Sequence, residues 1–404
     1  MARIVEHAGS FMRASRAGYK GLRPMSNARP TMETYIEMSP RVFEENLARA
    51  DALVSGLVER YARRGLRDLR FVASGSSYNS CVAARPFAER VLGVRVDVFT
   101  PSRYLDELER LEVATPGAFE VFVSQSGCST NIIEAVRAAR SRGHETVALT
   151  GNVNADLRDE VDEIFEYGVG NETVGFVTMG VLTLMEFIAL FALAAAKAMG
   201  VIDEGGRCAW TDRLSRVPAM HREVQRRAHV LMDASPETFL SPGAAFMCGA
   251  GAAYGIALEG ALKWQETLKA PAIALEPEEY IHGPNMQLTP RSTAFFLDPA
   301  REPGRTFDIY RATRAVTDHA YLVACYGPVE ADGNAVCLGA DTELEIAPFV
   351  LLPAVQVFAA RSMRELGCEP CHPLFDRFEK VVSCKTEDYE EICKEKLAQA
   401  GFAE

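Results

Sequence analysis

The sequence lacks an uninterrupted apolar stretch of membrane-spanning length. Its longest run, Phe187 to Ala196, is flanked by Glu186 and Lys197 and falls short of the ~18 residues a span needs, so it predicts a buried helix. No N-terminal segment combines a charged start, an apolar run and a small-residue cleavage site, and the ten cysteines are scattered; a reduced, cytoplasmic protein is expected. An excess of positive charge is also missing. The net charge of −12 argues against a nucleic-acid partner and against an anionic membrane surface. Residues 1 to 64 show no helix-turn-helix pattern. Cys368-Glu369-Pro370-Cys371-His372 matches a covalent haem pattern, but no second ligand pair has metal spacing, so neither a metal nor an organic cofactor is expected.

What the sequence contains is 404 residues, more than one domain usually holds, with 48% hydrophobic and 24% charged residues. Two globular units with sizeable cores follow. Residues 1–31 form an expected flexible arm: Arg3, Arg13, Arg16, Lys20, Arg23 and Arg29 stand against the single acid Glu6, with no sustained apolar period. Such an Arg-rich, acid-poor start also fits a transit peptide, while Met25 and Met32 allow a later natural start. Beyond it, Val42, Leu47, Ala50, Leu53 and Leu57 at helical spacing predict one helix over 40–64.

Strands and helices then alternate. Leu69 to Ala73 reads as a strand, Ser74 to Ser77 as a small-residue loop and 78–92 as a helix; strands at 94–99, 120–123, 146–149 and 163–167 follow, with a helix over 132–140 and a short one near Leu157. This order implies α/β architecture with a mostly parallel sheet covered on both faces. The same grammar returns after an offset of 176 residues, with Gly75 on Gly251, Tyr78 on Tyr254 and Phe71-Val72 on Met247-Cys248. Strands at 293–297, 321–325 and 342–346 and helices at 306–316 and 350–364 complete the second copy. Two tandem doubly wound lobes are therefore expected, at 32–205 and 206–372, followed by a tail at 373–404.

The copies differ where chemistry would sit. The first has Ser74, Ser76 and Ser77 in one strand-end loop and Ser124, Ser126, Ser129 and Thr130 in another; the second has Gly249 to Ala253 and Asp298-Pro299-Ala300. Ligands of open parallel sheets sit outside the carboxyl ends of strands, where helix N-termini favour anions. Serines there can also merely cap helices. Two such loops on neighbouring strands favour a phosphate, which a local nest of donors can hold even in an acidic protein.

At Ser124-Gln125-Ser126-Gly127-Cys128-Ser129-Thr130, after Gly75-Ser76-Ser77-Tyr78-Asn79-Ser80, the sequence resembles the sugar isomerase (SIS) family. The resemblance covers about residues 32–375. It is closest to the isomerase half of glucosamine 6-phosphate synthase, the sugar-phosphate deaminases and the fructosamine 6-phosphate deglycases. It implies a phosphate held by Ser76, Ser77, Ser124, Gln125, Ser126 and Ser129. In the second lobe Ala257-Leu258-Glu259-Gly260-Ala261-Leu262-Lys263 leads to Glu266, and His282-Gly283-Pro284 follows sixteen residues later. By the same resemblance Glu266 is the proton-transferring base, His282 assists ring opening and reaches the site from a neighbouring subunit of a homodimer or higher homo-oligomer, and Glu259 and Lys263 lie near the sugar. The chemistry is consistent with those residue types. Moving a carbonyl or imine between C1 and C2 needs a carboxylate shielded from water, and ring opening needs an acid/base near neutral pKa.

Departures from the synthase narrow the expectation. The segment before Met32 is too short for a glutamine-hydrolysing domain and no nucleophilic cysteine follows Met1. The stretch 171–180 keeps Glu172 and Thr173 but loses the synthase's Ser-Thr-Lys run. Phe378 falls where the synthase has its ring-opening lysine, with Lys380 and Lys385 out of register, so a covalent sugar imine is not expected. Glu278 to Pro284 looks like the deglycase branch. The leading expectation is a deglycase of amine-linked sugar 6-phosphates; a glucosamine 6-phosphate deaminase or isomerase is next, and a non-catalytic phosphosugar sensor is the alternative from another class.

Overall fold

The structure, a computed structural model, describes residues 29–327, 333–340, 342–368, 375–399 and 401. Residues 1–28 of the expected arm and Glu369 to His372 of the haem-like motif lie outside the described residues. The chain enters through α1 (Met32–Ala48) and α2 (Ala50–Arg64). The first sheet unit comprises β1 (Leu69–Ala73), α3 (Gly75–Leu92), β2 (Val96–Phe99), α4 (Pro101–Ala114), β3 (Phe119–Ser124), α5 (Thr130–Ser141), β4 (Val147–Thr150) and β5 (Glu163–Glu166). Three long helices follow: α6 (Met179–Ala198), α7 (Glu204–Leu214) and α8 (Val217–Ala234), then the short α9 (Pro236–Leu240). The second unit runs through β6 (Ala245–Gly249), α10 (Ala253–Leu268), β7 (Ala272–Leu275), α11 (Pro277–Ile281), β8 (Thr293–Asp298), α12 (Arg305–Arg314), β9 (Ala320–Ala324), β10 (Ala335–Cys337) and α13 (Ala347–Leu366). The tail adds α14 (Phe375–Glu379) and α15 (Tyr389–Gln399).

Both sheets are parallel throughout and share one strand order, β2-β1-β3-β4-β5 and β7-β6-β8-β9-β10. The expected duplicated doubly wound fold is therefore present. In this order the strand sequence reverses between the first and third strands, which leaves a crevice at their carboxyl ends.

The period-2 alternation of strand side chains builds the layers. Leu69, Phe71 and Ala73 of β1 and Phe119, Val121 and Val123 of β3 face a large inner core, whereas Val72 and Phe122 face an outer one with Tyr104 and Leu108 of α4 and Ile132 of α5. The second sheet repeats this, with Phe295 and Leu297 inward and Phe296 outward against Ile309 and Tyr310 of α12. The inner core is thus a helical layer shared by both sheets, and α1, α3, α6, α8, α10 and α13 all contribute buried residues to it. Within it α3 and α10 cross closely. A Cβ on Gly255 of α10 would lie 2.5 Å from the Ala83 backbone nitrogen of α3, so only glycine fits there.

Two expectations need correction, and a third is borne out with a longer span. The single helix over 40–64 is two helices broken at Arg49, whose guanidinium bonds Asn46 Oδ1 while Asn46 Nδ2 reaches Gly168 O and Glu186 Oε2. The strand expected at 342–346 is absent; the fifth strand is β10, and Glu343 to Ile346 form a turn into α13. The buried helix around Phe187 begins already at Met179. Its 20 residues suffice in length and composition to cross a bilayer, yet nearly all are covered by protein.

Candidate active site

The two serine loops lie at the carboxyl ends of the adjacent strands β1 and β3, and Asn131 Nδ2 donates to Ser74 Oγ (2.8 Å) to tie them together. In the loop after β3 a turn closes from Gly127 N to Ser124 O (3.1 Å). Gly127 sits at φ +72°, and a Cβ there would come 2.5 Å from Ala155 Cβ. Conformation and space both demand glycine. Ser74 and Ser129 occupy the N-cap positions of α3 and α5, but neither side chain caps its helix. The plain capping role that serines often have at such loops is therefore absent. Instead Ser124 Oγ donates to Ser129 Oγ (2.9 Å), and Ser126 Oγ accepts from Cys128 N (3.2 Å).

In the second lobe the matching positions disfavour an anion. Asp298 ends β8 where Ser124 ends β3; its carboxylate accepts from Ala300 N (3.1 Å) and Tyr326 Oη (3.0 Å). The loop after β6, Ala250 to Ala252, carries no hydroxyl.

The helix expected to start at 78 begins at Gly75, directly after β1, and from its first turns a line of polar contacts crosses between the lobes. Ser76 Oγ donates to Glu259 Oε1 (3.0 Å) and Asn79 Nδ2 to Glu259 Oε2 (2.9 Å). Lys263, one turn along α10, lies 3.3 Å from Glu259 and 2.5 Å from Glu266 Oε2. The 259, 263, 266 spacing puts all three on one face of the helix. Glu259 and Lys263 are fully buried, while Glu266 keeps 31% of its side chain exposed. Burial raises the pKa of Glu266, with Lys263 opposing the shift. For Lys263, burial alone would lower the pKa, but Glu259 and Glu266 outweigh it and hold the ammonium charged. The result is a partly exposed carboxylate with one oxygen anchored by Lys263, and among the described residues no hydrogen bond reaches Oε1.

The other expected residues are placed as follows. Ser77 lies in the first turn of α3, and among the described residues no hydrogen bond is made by its hydroxyl. Ser76 is engaged by Glu259, so it belongs to the line of contacts running to Glu266. Gln125 is committed elsewhere: its Nε2 donates to Glu172 Oε2 (2.6 Å), and Glu172 also accepts from the amides of Thr178, Met179 and Gly180 at the start of α6. Its side chain thus braces the 171–178 segment. His282 follows α11 with its side chain exposed, and among the described residues no hydrogen bond or ion pair joins it to Glu266.

Lys385, which was not among the expected site residues, is brought to the serine loop by the tail. The tail returns to the β3 loop, with Thr386 N donating to Cys128 O (3.0 Å) and Thr130 N to Cys384 O (3.2 Å), an antiparallel bridge of Ser129 with Lys385. Lys385 Nζ thereby lies 3.0 Å from Ser126 Oγ and 3.4 Å from Ser129 Oγ. Farther along, Asn171 Nδ2 donates to the Lys396 carbonyl (2.8 Å).

The duplicated parallel α/β fold thus sets the hydroxyl-bearing switch-point loop of the first lobe beside a charged helix face of the second. Residues 67–193 match the SIS domain family, and the chain carries a SIS domain there. The chain is 28% identical over 265 residues to glutamine-fructose-6-phosphate aminotransferase (isomerizing) of Xylella fastidiosa, a match covering 63% of this chain and 42% of the relative. The chain thus spans well under half of that relative's length. Among solved structures, the C-terminal domain of glucosamine-fructose-6-phosphate aminotransferase from Francisella tularensis aligns with a TM-score of 0.71 at 20% identity, covering 87% of this chain and 100% of that one. Tagatose-6-phosphate ketose/aldose isomerase from Escherichia coli aligns with a TM-score of 0.67 at 19% identity, over 86% of this chain and 97% of the other.

Proposed function

We propose that the protein is an enzyme that holds a sugar 6-phosphate at the Ser124–Ser129 loop and moves a proton between C1 and C2 with Glu266. The observation that carries this reading is the unbroken run of contacts Ser76–Glu259–Lys263–Glu266, which links the strand-end loops to a carboxylate of raised pKa. A base with that environment can both remove and return a carbon-bound proton. Lys263 fixes Oε2, so Oε1 is the atom that takes the proton.

For an amine-linked ketose 6-phosphate the step balances without a cofactor. Glu266 removes a proton from C1 to give an enaminol, the same proton returns to C2, water adds to the C1 imine, and the amine leaves with an aldose 6-phosphate. The resemblance to deglycases at Glu278 to Pro284 favours this substrate over glucosamine 6-phosphate, whose deamination uses the same proton transfer in the opposite direction. His282 would open the cyclic sugar, and its exposure is consistent with service in the site of a second copy. A cytoplasmic setting accords with a sugar-phosphate substrate.

The test is amine release by the purified protein from a panel of ketosamine and aldosamine 6-phosphates. Release from ketosamine 6-phosphates at a rate that disappears in Glu266→Gln is expected. Tight sugar-phosphate binding with neither release nor proton exchange on any member would overturn the enzymatic reading in favour of a sensor.

A further inference from the structure

We infer that Lys385, delivered by the C-terminal tail, is a phosphate ligand of the first-lobe loop and orients the loop's hydroxyls as donors. The inference rests on the reading of that loop as the phosphate cradle and adds a charge and a directionality to it.

The direction follows from hydrogen-bond bookkeeping. A serine hydroxyl has one proton and two lone pairs. Ser126 Oγ accepts from both Cys128 N (3.2 Å) and Lys385 Nζ (3.0 Å), so its own proton must point elsewhere. Ser129 Oγ accepts from Ser124 Oγ (2.9 Å) and Lys385 Nζ (3.4 Å), with the same consequence. Two hydroxyl protons are thereby turned outward beside an ammonium that keeps a further donor. Such a rim offers donors only, which suits a ligand that is all acceptor. A phosphate monoester is that ligand, and a neutral sugar hydroxyl, which must also donate, is not matched by it.

Lys385 is built into this position rather than drifting across it. The main-chain bonds of its two neighbours to Cys128 and Thr130 set its Cα opposite Ser129, the Tyr389 ring lies 5.2 Å from its ammonium, and the Asn171 bond to Lys396 holds the following helix. Among the described residues no carboxylate forms an ion pair with Lys385, so its charge is not already neutralised. The residue acts as a specificity determinant for the phosphorylated sugar over the unphosphorylated one.

The experiment is titration calorimetry of the full chain and of its Lys385→Met and Lys385→Arg variants with inorganic phosphate, fructose 6-phosphate and fructose. Each hydrogen bond to a charged group is strong enough that Lys385→Met should weaken phosphate and fructose 6-phosphate roughly ten- to hundredfold, with fructose affinity and melting temperature unchanged. Lys385→Arg should recover much of the loss. Unchanged phosphate affinity in Lys385→Met would overturn the inference while leaving the serine-loop reading intact. Covalent trapping of fructose 6-phosphate on Lys385 by borohydride, together with normal phosphate binding by Lys385→Met, would replace the ligand role with a nucleophilic one. Failure of the unmodified protein to bind either phosphate would overturn both the underlying reading and this inference.

Discussion

Lys263→Met removes the cation between two carboxylates and leaves most of the side-chain volume in place. Glu259, fully buried, would keep the neutral donors Ser76 and Asn79 as its hydrogen-bond partners among the described residues. At 3.3 Å and an effective dielectric constant near 20, the lost attraction is about 5 kcal/mol, and removing one member of a buried pair costs about 3–5 kcal/mol. Urea melts followed by far-UV circular dichroism should show a loss of unfolding free energy of that order. Lys263→Met with Glu259→Gln should recover most of the loss, because the second change removes the uncompensated charge. The single variant should also move the acidic limb of the pH–rate profile upward, since Glu266 loses the cation that holds its pKa down and must be ionised to act as base. A loss below about 1 kcal/mol in Lys263→Met, or no recovery in the double variant, would refute the electrostatic account of this helix face.

Two further outcomes are expected. His221 is fully buried, accepts at Nδ1 from Gln225 Nε2 (2.8 Å), and burial pushes its pKa down to about 3. The unfolded chain binds a proton at this residue below about pH 6.5 while the folded one does not, so stability should fall by up to about 1.4 kcal/mol per pH unit as pH drops from about 6.5 toward 3. Melts of His221→Gln across that window should show a flatter profile, and an unchanged profile would exclude this group as the source. Mixing the inactive Glu266→Gln and His282→Asn proteins after subunit exchange should restore about a quarter of wild-type activity if each site takes His282 from a second copy of a dimer, because random pairing leaves one intact site in half the dimers. No recovery in an exchanged mixture would exclude the shared site.

Strands such as β1 and β3 were legible because each is a short β-rich run leading into small residues, and the duplication was legible because Gly75 and Gly251 recur at equivalent turns. The break at Arg49 was not, since the apolar spacing continues across it; what ends α1 is a set of polar bonds to Gly168 and Glu186, far along the chain. The fifth strand of the second sheet was sought at 342–346, yet the pairing to β9 falls on the shorter Ala335–Cys337. In the site, the 259, 263, 266 spacing on one helix could be read directly. Gln125 could not, because its partner Glu172 lies on a separate segment that buries it at the start of α6. Lys385 was set aside on local register, although its position is fixed by a bridge between residues more than 250 apart, a contact that no sequence window contains.

The most direct measurement of the central claim is hydrogen exchange at C1 and C2 of fructose 6-phosphate in deuterated water, followed by NMR alongside calorimetric binding. The unmodified protein should wash deuterium into the sugar, whereas Glu266→Gln should bind it with similar affinity and exchange at least about 10²-fold more slowly, the lower bound for loss of a general base. Exchange at the wild-type rate in Glu266→Gln would contradict the assignment of Glu266 as the group that carries the proton.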